Sequence, residues 1–172
     1  MYAVIHGGIH KELRQQSCEH LSRLDFDGFA IGGSMGKTKE QMVEMLSFTM
    51  PLLPEDKPNH LLGIGDLESI DRCVGLGIDT FDSSYPTRAA RHGMLLTKKG
   101  PLKILKSDNA QIFSPPEEGC PCPTCSQYSL GYLHHLFKAK ETTCMTLASI
   151  HNLYFMVDLM SRYRQRICDG EI

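Results

Sequence analysis

Three thiols lie within six residues in Cys120-Pro121-Cys122-Pro123-Thr124-Cys125. One tight loop at this spacing can present three sulfurs to a single point. Zinc takes four ligands in a tetrahedron, commonly three thiolates and an imidazole. The competing uses, buried free thiols or a redox pair, fit a three-cysteine cluster in a reduced chain less well. The fourth ligand has to come from elsewhere. His151 is the first choice, inside the expected last helix and next to its apolar stripe. His134 and His135 compete, but a helix that starts at the loop would carry them away from the metal. Three sulfurs and one nitrogen leave no open position, so a metal held this way is structural.

The second chemical segment is Phe81-Asp82-Ser83-Ser84-Tyr85-Pro86-Thr87-Arg88-Ala89-Ala90-Arg91. A carboxylate at the end of a strand in an α/β fold is placed for chemistry. Ionised and held against a sugar, it can attack an anomeric carbon and form a covalent glycosyl intermediate. Arg88 and Arg91, a few residues on, suit phosphates or base edges. The plainer use of Asp82 is to cap a turn, and Asp79 is a second carboxylate on the same expected strand. From Ser83 to Ser107 there is no acidic residue, whereas Arg88, Arg91, Lys98, Lys99, Lys103 and Lys106 all fall there. Such a run is either a solvated basic face or a surface for a polyanion.

The elements that must position these groups follow from periodicity and punctuation. Tyr2–Ile5, Phe29–Ile31, Leu61–Ile64 and Ile78–Phe81 read as strands. Between them Lys11–Leu24, a segment opened by a Thr38/Gln41 capping box and running to Met50, and a segment capped by Asp66 and running to Leu76 read as helices. Strands alternating with helices predict right-handed βαβ units and a parallel sheet, either half of an eight-stranded barrel or an open sheet. Met94–Thr97 and Leu102–Leu105 flank Lys98-Lys99-Gly100-Pro101 and predict a hairpin. Ser126–Lys140 and Met145–Ile167 predict helices, the latter with an apolar stripe through Leu147, Ile150, Leu153, Val157, Met160 and Ile167 that Arg164 interrupts.

Composition narrows the class. The 172 residues suffice for a real core, and 41% hydrophobic with 22% charged residues is the balance of a soluble globular chain. No apolar run approaches the roughly 18 residues of a membrane helix, and no signal-peptide pattern opens the sequence, so a cytoplasmic location is the default expectation. Net charge is −2, so the whole-chain balance does not point to nucleic acid. Seven cysteines, an odd number, argue against a disulfide framework.

The run Phe-Asp-Ser-x-x-Pro-Thr-Arg-x-x-Arg resembles the nucleophile segment of the tRNA-guanine transglycosylases. Cys120, Cys122, Cys125 and His151, the last followed by Asn152, resemble that family's zinc site. Similar segments run in order along the chain: His6-Gly7-Gly8, Phe26 to Gly33, Asp56-Lys57-Pro58, Leu62-Gly63-Ile64-Gly65 and Tyr132 to Leu136. The resemblance implies an α/β fold, the C-terminal half of a TIM (β/α)8 barrel with a zinc-binding subdomain. Residues 1–107 would form the half-barrel and 108–172 the zinc subdomain with the C-terminal helices. It implies the exchange of guanine at the tRNA wobble position for a 7-deazaguanine base, queuine or its precursor, in queuosine modification. Asp82 would be the covalent nucleophile, His6 and Gly33 would contact the base, and one structural Zn(2+) would sit on Cys120, Cys122, Cys125 and His151. Gly63, Ile64, Gly65, Asp66, Leu67, Glu68 and Ser69, and Thr87, Arg88, Ala89, Ala90 and Arg91, would contact the tRNA anticodon loop.

The departures from the family pattern concern the same residues. Ser83 follows the nucleophile where cysteine is usual, His6 stands for a base-contacting glutamine, and Asp66 for a frequent lysine. The loop Gly32-Gly33-Ser34-Met35-Gly36 is one residue short of the usual bacterial form. The family's N-terminal half carries four further strands and another catalytic aspartate. The expected partners are therefore tRNA, the base, and either a second copy in a homodimer or an N-terminal half. The alternative function is a non-catalytic tRNA-binding or dimerisation fragment.

Overall fold

Tyr2–Ile5, Gly28–Ile31, Asn59–Leu61 and Thr80–Phe81 form strands β1 to β4 of one parallel sheet in the computed structural model, which describes all of residues 1–172. Strand order follows chain order, β1-β2-β3-β4, with Ile5 beside Ile31, Ile31 beside Leu61, and His60 beside Thr80. The crossovers are α1 (Lys11–Leu21), α2 (Lys39–Thr49, extended by a 3-10 turn Met50–Leu52) and α3 (Leu67–Val74). α1 packs on α2 and α2 on α3, so the three share one face of the sheet. Ala3, Ile5, Phe29, Ile31 and Leu61 point into that face and meet Cys18, Met42, Leu46 and Cys73. Each large apolar side chain so buried contributes about 1.5–3 kcal/mol. Tyr2 and Val4, which alternate with them on β1, face away and are exposed.

The predicted caps form. Thr38 accepts from the Gln41 amide at 3.3 Å and Asp66 from the Ser69 amide at 3.3 Å. The Gln41 side chain accepts from the Lys37 amide at 2.7 Å, so that box closes one residue further out than the capping pattern implies. One cation lies inside the first unit. Arg14, on α1, is wholly buried. Its Nε donates to Gly8 O at 2.7 Å and its Nη2 to Gly32 O at 3.3 Å, so it pins the turns after β1 and β2 to the same helix. Gly7 makes room for this: a Cβ there would stand 2.6 Å from Arg14 N.

The chain divides into two compact units, Met1–Ser83 and Ser84–Ile172. The expected boundary after residue 107 therefore falls inside the second unit. The hairpin β5 (Met94–Leu95) and β6 (Leu102–Lys103) belongs there because β5 packs on α4 (Tyr85–Arg91) and α7 (Thr143–Cys168). A 3-10 turn, Ser107–Gln111, leads towards α5 (Pro123–Gln127) and α6 (Leu130–Lys138). The single helix expected over 126–140 is two helices, because Ser129 breaks off the first and caps the second, accepting from the Tyr132 amide at 3.2 Å. The core of this unit is Ala90, Leu95, Ile104, Leu130, Leu133, Leu136, Cys144, Leu147 and Ala148.

Two further expectations need correction. β3 ends at Leu61 rather than running to Ile64, since Gly63 turns the chain with φ +71. The apolar stripe on α7 matches its buried face only in part: Leu147 is buried, and Ile150 and Met160 are half-buried. The helix buries Cys144, Leu147, Ala148, His151, Asn152, Phe155 and Tyr163, whereas Leu153, Val157 and Ile167 are exposed. Two polar residues sit in the middle of the buried face because both find partners there, so an apolar-only pattern is offset from it.

Candidate active site and metal centre

Asp82 immediately follows β4, at the carboxyl end of the parallel sheet. Its Oδ1 accepts from the Gly63 backbone N–H at 2.7 Å and meets His60 Nε2 at 3.1 Å. The positive φ of Gly63, which an L side chain rarely adopts, belongs to the turn that aims this amide at the carboxylate. Two residues on, Gly65 lies so close to Ser83 that a Cβ would meet Ser83 Cβ at 2.9 Å. The Gly63 amide first, and the His60 ring with it, holds the Asp82 carboxyl below the usual carboxylate range, with desolvation opposing. The side chain is 60% exposed. It is thus a solvated, accessible anion at neutral pH. The competing carboxylate, Asp79, stands at the other end of the same strand, where its Oδ2 accepts from the Asn59 amide at 2.7 Å. That is a structural bond at the amino end of the sheet.

The base-contacting candidates come together. A Cβ on Gly33 would stand 3.2 Å from His6 Nδ1, so the two residues are neighbours at the ends of β1 and β2. Of the segment Gly63 to Ser69, Gly63 and Glu68 are exposed, whereas Gly65 and Ser69 are buried and Ile64, Asp66 and Leu67 lie between. Asp66 is engaged: its Oδ1 pairs with Lys39 Nζ at 2.6 Å and its Oδ2 accepts from Ser69 Oγ at 2.6 Å. Desolvation is outweighed by these contacts, and the carboxyl stays below its ordinary range. In the second unit, Thr87 to Arg91 lies on α4, a helix that the sequence reading did not place. Arg88 and Arg91 are exposed, and Ala90 is wholly buried. Lys98, Lys99, Lys103 and Lys106 are also exposed.

The metal centre is built from the loop before α5, which carries Cys120 and Cys122, from α5 itself, which carries Cys125, and from α7. The ligand atoms of Cys120, Cys122, Cys125 and His151 all lie within 4.8 Å of one another. His151 Nδ1 is 3.9, 3.5 and 3.3 Å from the sulfurs of Cys120, Cys122 and Cys125. Tetrahedral zinc, with Zn–S of about 2.3 Å and Zn–N of about 2.0–2.1 Å, requires such pairs to be roughly 3.6 Å apart. His151 Nε2 is 2.8 Å from Leu96 O, which fixes the ring so that Nδ1 faces the sulfurs. The neighbouring Asn152 accepts from Leu96 N at 2.9 Å and donates to Pro86 O at 2.9 Å and Met94 O at 3.0 Å. Burial raises the Cys120 and Cys125 thiols and lowers the His151 imidazole, because desolvation penalises each charged form. A divalent cation reverses this for the thiols, and the donor set fits zinc. His134 and His135 do not enter the cluster.

His60 is the site residue that sequence reasoning missed. Its signal is the register: a side chain beside Thr80 in a parallel pair shares a face with Thr80 and with Asp82, two residues on. Arg14 carried no local sign at all.

A parallel sheet with an ionised carboxylate at its carboxyl edge, together with a closed three-sulfur, one-nitrogen cluster suited to one metal ion, defines a mixed α/β protein with a metal centre of structural type. The chain belongs to the queuine tRNA-ribosyltransferase family, whose family model matches residues 1–172. It is 69% identical to the queuine tRNA-ribosyltransferase of Protochlamydia amoebophila (strain UWE25), over 97% of this chain and 43% of that protein. It is 50% identical to the proteins of the same name from Chlamydia caviae and Chlamydia muridarum, over 100% of this chain and 46% of each. The chain thus spans less than half the length of the curated relatives it matches.

Proposed function

We propose that this chain carries the nucleophile and the tRNA-facing segments of a tRNA-guanine transglycosylase, acting as the C-terminal half of a TIM barrel with a zinc-binding subdomain. The observation that carries the proposal is the Asp82 carboxylate, exposed and held ionised at the tip of β4. The order β1-β2-β3-β4, with the crossover helices on one face, supports the half-barrel. A carboxylate oxygen of Asp82 attacks C1′ of the wobble ribose. The C1′–N9 bond breaks, its electron pair leaves with guanine, and guanine takes a proton from water. The 7-deazaguanine base then attacks C1′ and displaces the carboxylate, and its ring N–H proton goes to the hydroxide left by the first step. His6 and Gly33 face the base. Gly63 to Ser69 and Thr87 to Arg91 face the anticodon loop. In the first stretch Asp66 is paired with Lys39 and the Gly63 N–H is committed to Asp82 Oδ1. In the second, Arg88 and Arg91 are the contacts and buried Ala90 sets the helix. Bound zinc supplies structural cross-linking, and no step passes through it.

The exposed apolar residues of α7, Leu153, Val157 and Ile167, support self-association. The exposed Tyr2 and Val4 on edge strand β1 support pairing with an N-terminal half-barrel. The zinc-loaded chain, alone and mixed with the N-terminal part of a full-length relative, is incubated with tRNA and labelled guanine. The expected result is exchange that falls by at least about a thousandfold in Asp82→Asn. Salt-sensitive tRNA binding without exchange in either mixture would instead support the non-catalytic fragment.

A further inference from the structure

Three side chains on one face of the sheet form a chain of contacts ending at the nucleophile. Thr80 Oγ1 is 2.8 Å from His60 Nδ1, and His60 Nε2 is 3.1 Å from Asp82 Oδ1. The His60 side chain is 20% exposed, so the ring is largely held in place. A carboxylate only accepts hydrogen bonds, so Nε2 carries a proton and donates to Asp82, while Nδ1 is held by the Thr80 hydroxyl. The Gly63 amide reaches the same oxygen, Oδ1, at 2.7 Å.

We propose that His60 is a positioning residue for Asp82: with the Gly63 amide it claims Oδ1 and leaves Oδ2 as the oxygen that bonds to the ribose. This rests on the transglycosylase reading for the identity of the substrate, but not for the geometry. Two donors on one oxygen fix the rotation of the carboxyl group. They engage the lone pairs of Oδ1, and Oδ2 keeps the free pair that forms the bond to C1′ as C1′–N9 breaks. In the covalent intermediate Oδ1 becomes the ester carbonyl and still faces both donors. When the incoming base displaces Asp82, the C1′–Oδ2 pair returns to the carboxylate, and the donors at Oδ1 hold the returning charge. His60 therefore favours release of the intermediate as well as orientation of the attack.

The test is a titration of the Asp82 side-chain carboxyl carbon by NMR in the zinc-loaded 172-residue chain carrying 13C-labelled aspartate. His60→Phe keeps a ring and removes the donor, and His60→Gln restores an N–H near the position of Nε2. The expected result is an upward move of the Asp82 midpoint by about 0.3–1 pH unit in His60→Phe, reversed in His60→Gln. Superposable curves for the wild type and His60→Phe overturn the proposal. So does a shift that glutamine does not reverse, because a general disturbance of the sheet would then explain it. Base exchange is read separately, and its absence from the wild-type chain bears on the transglycosylase reading alone.

Discussion

His151 shows how a single position combines structure and chemistry. Its ring is wholly buried, one nitrogen faces three sulfurs and the other is bonded to the Leu96 carbonyl. Replacing it removes a ligand and leaves that carbonyl unpaired. His151→Ala is expected to reduce bound zinc from one per chain to none at micromolar metal, measured by mass spectrometry under native conditions, with His134→Ala and His135→Ala retaining it. The ligand loop was legible in the sequence because three cysteines at that spacing have few other uses. The choice of His151 over His134 and His135 was legible too, because a helix starting at the loop carries those two away from the sulfurs; what was not legible is the whole buried face of α7. Asp82 was legible as a strand-end carboxylate. Its preference over Asp79 was not, because the short β4 separates the two by its whole length, a fact about where pairing starts and stops.

At the scale of elements, the alternation of strands and helices was readable from apolar runs and from caps at Thr38 and Asp66. Some of the failures share one cause. Polar residues that find partners inside the fold, His60 on β3 and His151 and Asn152 on α7, resemble surface positions until their partners are known. Short α4 was overlooked although Pro86 in its first turn and the Ala89-Ala90 pair after it are helix signals. Arg14 gives a prediction at this scale. Its guanidinium supplies donors to two strand-end turns from a helix, so Arg14→Met keeps much of the volume and abandons both carbonyls. A loss of about 2–4 kcal/mol is expected in urea unfolding. Amide exchange should rise first around Gly8 and Gly32 to Ser34, the turns that carry His6 and Gly33.

For the whole molecule, buried thiols set an alkaline limit. Burial pushes Cys18 and Cys73 up to about 11. In the unfolded chain such thiols ionise near pH 8.5, roughly, so their contribution is fully present below that value and is lost as pH rises towards 11. Thermal unfolding is therefore expected at progressively lower temperature between about pH 8.5 and 11. Cys18→Ala should flatten that slope even while it lowers stability at neutral pH, and an unchanged slope would refute the assignment. The division of the chain at Ser83/Ser84 was not legible, because it depends on the hairpin joining α4 and α7 and not on any linker composition.

The amide of Gly63 has a consequence for how this nucleophile can change over time. A main-chain donor is deleted only by proline and is otherwise re-aimed, so the Gly63 contribution to the acidity of Asp82 survives most substitutions elsewhere in the sheet. Position 60 is different, since its donor belongs to a side chain that a single substitution removes. The pair divides inheritance in two: one contribution resists substitution, and a change in the other retunes the carboxylate without erasing it.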